Sequence, residues 1–126
     1  NKILIVTTDY YKNISAGLIN SVKKVIKNCF IVKIIHVPGV FEIPVTISKN
    51  INKFDGFIAL GCVIKGKTPH FDFISRASTE AIMKLSVDYR KPIGNGIITC
   101  LNMKQAIERK NKGKEAAKAL ISILSQ

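Results

Sequence analysis

The sequence predicts an α/β protein: a three-layer α/β/α sandwich around a central four-stranded parallel sheet. Three observations carry that prediction. Four runs, KILIVTT, CFIVKIIHV, FIALGCVI and PIGNGIITC, are short, β-branched and continuously apolar, as strands buried on both faces are. Helical apolar spacing fills each interval between them. The 126 residues, 47% of them hydrophobic, suit one domain spanning residues 1–126.

Each element can be justified in order. Residues 2–8 form the first strand. Residues 14–28 place Leu18, Val22, Val25 and Ile26 on one helical face. The second strand covers 29–37 and is ended by Pro38-Gly39. Residues 41–53 carry Ile43, Ile47 and Ile51 at four-residue steps, with Pro44 tolerable because it lies in the first turn. Asp55-Gly56 turns into the third strand, 57–64. Thr68-Pro69 reads as an N-cap followed by a first-turn proline. The helix it opens runs to about Tyr89, with Ile74, Ala77, Ala81, Ile82 and Leu85 inward. The fourth strand is 92–100. Asn102 and Gln105 form a capping-box pair opening the next helix. After Gly113 a last amphipathic helix uses Ala116, Ala117, Leu120, Ile121 and Leu124.

Composition excludes several classes. No apolar stretch is long enough to span a bilayer, and no signal-peptide pattern opens the chain. The default expectation is a cytoplasmic protein, although Asn1 is not a start methionine and a short segment could precede it. Cys29, Cys62 and Cys100 are odd in number, widely spaced and set in or beside apolar runs, which predicts reduced, buried thiols with no structural metal. The net charge of +12 raises a nucleic-acid reading. The lysines are dispersed, however, and neither a stacking strand nor a basic recognition helix accompanies them. Affinity for anionic substrates is the more economical use of the charge.

In parallel sheets ligands bind beyond the carboxyl ends of the strands. Those ends are Thr8–Tyr11, Val37–Glu42, Ile64–His70 and Thr99–Asn102. After the third strand, Gly66 would allow a tight turn. Lys65 and Lys67 add charge, and the helix opening at Thr68 favours an anion. The alternative is an ordinary capped helix with solvent lysines. His70 lies in the first helical turn, where the dipole and neighbouring lysines favour a neutral imidazole able to accept and return protons. His36, inside a strand, reads as structural. Glu42 is either a dipole-favourable carboxylate or an acceptor for a polar ligand. Tyr10 and Tyr11 could stack on a planar ring or cover the sheet edge. Arg109 and Lys112 sit at a helix break, where Arg suits a phosphate dianion.

Taken together, PGVFEIP (38–44), ALGCVIKGKTPHFDF (59–73), PIGNGIIT (92–99) and QAIERKNKG (105–113) resemble, in order and spacing, the 6,7-dimethyl-8-ribityllumazine synthases of riboflavin biosynthesis. The resemblance covers nearly the whole chain. It implies a flavodoxin-like fold and a transferase that condenses 5-amino-6-(D-ribitylamino)uracil with 3,4-dihydroxy-2-butanone 4-phosphate, with no metal or organic cofactor. A Schiff base forms, phosphate is eliminated, and ring closure with loss of water gives the lumazine. His70 matches the proton-transfer histidine. Arg109 with Lys67 and Thr68 would hold the phosphate, and Lys112 matches a basic residue near it. The pyrimidine and ribityl chain would lie across Val40, Phe41 and Glu42 and across Cys62, Val63 and Ile64, with Tyr10 where the family usually has a stacking Phe.

The family's sites lie between adjacent subunits of a pentamer, and Asn95 matches a position contributed by the neighbour. Three departures stand out: Asn95 replaces a common Phe, Tyr11 replaces a usual Asn, and the connection after Arg109 is several residues shorter. Because capsid-forming members carry a longer motif there, an isolated homopentamer is expected. Two rival readings are a non-catalytic flavin- or lumazine-binding member of the same fold and a basic nucleic-acid-binding domain. Retained His70 and Arg109 weigh against simple binding.

Overall fold

The computed structural model describes residues 1–126. Four strands and five helices alternate along the chain: β1 (Lys2–Thr8), α1 (Lys12–Ile26), β2 (Ile31–Val37), α2 (Glu42–Lys49), β3 (Gly56–Ile64), α3 (His70–Tyr89), β4 (Ile93–Cys100), α4 (Met103–Glu108) and α5 (Gly113–Leu124). All strand pairs are parallel, in the order β2-β1-β3-β4. This is the three-layer sandwich the sequence predicts.

Because strand side chains alternate between faces, the sheet divides its apolar residues into two cores. Ile3, Ile5, Ile58, Leu60, Ile98 and Cys100 face α1 and α5, packing on Leu18, Val22, Ala117 and Leu120. Leu4, Val6, Phe57, Ala59 and Val63 face α2 and α3, packing on Ile43, Ile47 and Ile82. The central strands β1 and β3 are almost wholly buried, which is why they read as unbroken apolar runs. By contrast, β2 is an edge strand and leaves Ile31, Val32 and Lys33 exposed.

Several local expectations are corrected. Ala77 faces solvent, and Ser78 takes the buried position on α3 instead. Its hydroxyl donates to the Ile74 carbonyl at 2.7 Å, so burial leaves the polar group satisfied. Cys29 is exposed rather than buried, because α1 ends at Ile26 and residue 29 lies in the turn that follows. The second helix stops at Lys49, earlier than its isoleucine spacing suggests, and Ile51 is buried from a turn. Asn102 caps α4 by accepting from the Gln105 N–H at 2.9 Å. The Gln105 side chain returns the bond one residue earlier than a capping box would, accepting from Leu101 N–H at 2.8 Å.

The connection from α4 to α5 is only Arg109–Lys112, and it is closed by a bond from Lys112 N–H to the Arg109 carbonyl at 3.0 Å. It is fitted tightly onto α1. A Cβ at Gly113 would meet the Leu18 carbonyl oxygen at 2.4 Å, so only glycine permits this approach. The stem of Lys110 lies over Gly17, its Cγ 2.9 Å from where a Cβ would be.

Candidate functional site

β1 is where the sheet order reverses: its crossovers lead outward to β2 on one side, and β3 lies on the other. The loops leaving such neighbours diverge and leave a crevice at the carboxyl ends. A cavity of about 360 Å³ occupies that crevice. Thr8 at the end of β1 lines it with Tyr10 and Tyr11 just beyond, as do Gly39, Val40 and Phe41 from the turn after β2 and Glu42 at the start of α2. Cys62, Val63 and Ile64 form the end of β3, with His70 and Ile74 from the first turns of α3.

The floor depends on Gly61. A Cβ there would stand 3.0 Å from Val40 Cγ2 and 3.3 Å from Thr8 Cγ2, so glycine brings β3 flush against the turn after β2 and the end of β1. The Glu42 carboxylate folds back over Gly39, its Oε1 3.2 Å from where a Cβ would be. Tyr10 is 73% exposed, a flat apolar ring at the rim. It meets Tyr11 edge-on, with centroids 4.8 Å apart and planes at 80°. Burial pushes the Tyr11 phenol pKa up, with Tyr10 and Cys62 adding to the effect. The Cys62 thiol is pushed up to about 12, first by burial and then by the neighbouring Cys100. It therefore forms part of an apolar floor and is not a nucleophile.

Of the residues singled out from the sequence, Tyr10, Val40, Phe41, Glu42, Cys62, Val63, Ile64 and His70 meet in this one cavity. Lys67 and Thr68 are exposed just outside it, and α3 begins at His70 rather than at Pro69. The Thr68 hydroxyl still accepts from the His70 N–H, at 3.4 Å. Gly66 has neither a positive φ nor a neighbour within 4 Å, so no tight turn requires it.

Arg109, Lys112 and Asn95 are not in this cavity. They line a second one, of about 460 Å³, along the free edge of β4, together with Thr99 and Glu115. No lining residue is common to the two cavities. In the second, Arg109 Nη1 donates to the Thr99 carbonyl at 3.1 Å and Asn95 Oδ1 accepts from Ile97 N–H at 3.0 Å. Both bonds satisfy outward main-chain groups of an edge strand while fixing the two side chains. Lys112 Nζ pairs loosely with Glu115 at 3.3 Å.

One chain thus carries an aromatic cavity that includes His70 and a separate cationic cavity that includes Arg109 and Lys112. Sequence reasoning named residues of both and assigned Arg109, with Lys67 and Thr68, to one phosphate; within one chain Arg109 lies in the second cavity. That reasoning missed Glu115 as a lining residue and the partner that His36 finds in Asp9. Their only sequence signal was a position near strand or helix ends. No helix is long and apolar enough to cross a membrane.

The family model for 6,7-dimethyl-8-ribityllumazine synthase matches residues 1–126. The chain is 39% identical to the synthase of Bartonella tribocorum, over 98% of this chain and 87% of that protein. It is 35% identical to that of Cutibacterium acnes, over 98% and 80%. To that of Corynebacterium kroppenstedtii it is 43% identical, over 71% of this chain and 61% of the relative. The match spans the chain from β1 through the cavity at the sheet's switch point to α5, and the chain belongs to the 6,7-dimethyl-8-ribityllumazine synthase family.

Proposed function

We propose that the chain condenses 5-amino-6-(D-ribitylamino)uracil with 3,4-dihydroxy-2-butanone 4-phosphate to 6,7-dimethyl-8-ribityllumazine, phosphate and water, at a site joining the two half-cavities of neighbouring copies. The separation of His70 from Arg109 carries the reading. The chemistry needs a planar cradle, a proton carrier and a dianion holder, and neither cavity alone supplies all three.

In the first half, the pyrimidine lies under Tyr10 and against the apolar edge formed by Val40, Phe41, Cys62, Val63 and Ile64. Glu42 accepts hydrogen bonds from the ring or the ribityl hydroxyls. In the second half, Arg109 is held from behind by the Thr99 carbonyl, so its other nitrogens remain for a phosphate fork, with Lys112 as a second cation. Lys67 and Thr68 reinforce the phosphate from the first half. The substrate amine attacks the ketone and water leaves as the imine forms; the hydroxyl-bearing carbon beside the imine then loses a proton, and phosphate departs from the carbon beyond it. The enol left behind becomes a ketone, the ribitylamino nitrogen attacks it, and loss of a second water closes the lumazine ring. His70 moves these protons, and positioning supplies much of the remaining rate.

An outward apolar face supports association. Phe73, Met83 and Val87 stand exposed on α3, interleaved with Arg76 and Glu80 at three- and four-residue steps. That is the spacing of helices that pack on one another. The assembly is a homopentamer without further packing into a shell, in keeping with the short Arg109–Lys112 connection. The +12 charge serves anionic substrates rather than nucleic acid. The cytoplasm is the place of action, where the three free cysteines stay reduced. Incubating purified protein with both substrates should yield lumazine absorbance and fluorescence that scale with enzyme. No product at any enzyme concentration would end the proposal.

A further inference from the structure

The first half-cavity is built mainly from two loops. One follows β1 and supplies Tyr10 and Tyr11; the other follows β2 and supplies Gly39, Val40 and Phe41, leading into Glu42 at the start of α2. A side-chain bridge ties the first loop to His36, the penultimate residue of β2, from whose end the second loop departs. His36 Nδ1 and Asp9 Oδ1 are 2.7 Å apart, a short, charge-assisted distance when the imidazole is protonated. A main-chain bond from Asp9 N–H to the Val37 carbonyl, at 3.2 Å, runs beside it.

The bridge is not needed to hold β2 in the sheet. The β1–β2 ladder already pairs every residue from Lys2↔Ile31 to Thr8↔Val37. Asp9 is the first residue beyond that ladder, and the next is Tyr10, whose ring is 73% exposed and has Tyr11 as its aromatic neighbour. Fixing the Asp9 side chain therefore acts on its neighbour Tyr10, a rim residue that the sheet itself does not hold.

We propose that Asp9 and His36 are a positioning pair for the lumazine-forming reaction, holding the Tyr10 rim at a set distance from the Val40–Glu42 turn so that the slot fits a planar pyrimidine. This inference rests on the proposed function of the cavity. The pair touches no substrate and moves no proton in the reaction; it reduces the ordering that binding must impose on the loop. Because both side chains are about half exposed, at 53% and 46%, the effect is modest. Pairs of this kind shift an equilibrium by up to about fivefold.

The test is a set of four variants, Asp9→Ala, His36→Ala, the double variant and His36→Asn, assayed with the pyrimidine as the varied substrate. Asn places an amide N–H where Nδ1 stood, so it keeps the bridge without the ring or the charge. Each alanine variant should raise KM for the pyrimidine roughly two- to fivefold with kcat within about twofold of the parent. The double variant should be no worse than either single one, and His36→Asn should return KM to near the parent value. Unchanged KM in the single variants would overturn the proposal. So would effects that multiply in the double variant, a loss confined to kcat, or an Asn variant no better than Ala. Calorimetric Kd values for the pyrimidine alone should follow the same ladder. They judge the pair even if the parent forms no lumazine, an outcome that would instead count against the reaction assigned to the site.

Discussion

Replacing Gly94 with alanine tests how the cationic half-cavity is held in place. Gly94 lies in β4, directly beneath α5. The added Cβ would stand 2.3 Å from the Ala116 carbonyl oxygen, 2.9 Å from its carbonyl carbon and 3.3 Å from its Cα. All three are main-chain atoms that cannot rotate aside, so α5 would have to rise by about 1 Å to restore ordinary contact. Two further close approaches oppose that movement. Gly56 lies under Leu120, where a Cβ would meet Cδ1 at 2.5 Å, and Gly113 lies over the Leu18 carbonyl. The cost should therefore fall toward the upper end for overpacking, about 3 kcal/mol. For a chain of this length that is a fall in Tm of about 10 °C. Thermal and urea unfolding at a fixed protein concentration would measure it, since an assembly's midpoint depends on concentration. Gly66→Ala is the matched control. With nothing within 4 Å and no positive φ, it should be neutral or stabilise by up to about 1 kcal/mol. A Gly94→Ala midpoint within about 2 °C of the parent would refute the packing argument.

Other consequences can be checked directly. His70→Ala should lower kcat by about a hundredfold or more while the pyrimidine Kd changes little; an undiminished kcat removes the proton-transfer role. Arg109→Ala should mainly raise KM for the phosphate-bearing substrate, and normal kinetics with it would remove the phosphate assignment. Iodoacetamide near neutral pH should label Cys29 and spare Cys62 and Cys100 until the chain is unfolded, a pattern that mass spectrometry reads and that labelling of Cys62 in the native protein would contradict. The raised Cys62 pKa also fixes a sign. Above about pH 9 the unfolded chain has lost this proton while the native state keeps it, so stability should fall as pH rises from 9 toward 12. A flat or rising profile there would contradict the burial. Val87→Glu with Met83→Glu should reduce the light-scattering mass toward that of one chain, and an unaltered mass would move the interface elsewhere.

Much of this molecule was legible in its sequence for identifiable reasons. β1 and β3 are buried on both faces, so their composition alone declares them. His70, Glu42 and the Val40–Phe41 turn were placed correctly at strand ends because parallel topology gathers those ends. What escaped notice depended on which edge a residue occupies. Arg109 and His70 both follow carboxyl ends, yet β4 is an edge strand and carries Arg109 to its free side. Burial of Ser78 in place of Ala77 was illegible because a hydroxyl bonded to its own helix packs like an apolar group. His36 read as structural because a strand histidine announces no partner, and Asp9 lies 27 residues away.

The central claim is that each catalytic site takes its proton carrier from one copy and its phosphate holder from the next, and mixing tests it most directly. Assayed with the phosphate-bearing substrate well below the raised KM of Arg109→Ala, the His70→Ala and Arg109→Ala chains should each be nearly inactive alone. Refolded together in equal amounts into one closed ring, they should regain about a quarter of parental activity, because one adjacent pair in four joins an intact His70 half to an intact Arg109 half. If tagged chains prove to have co-assembled and the mixture still shows only the average of the two inactive variants, the two halves act within one chain and the account is wrong.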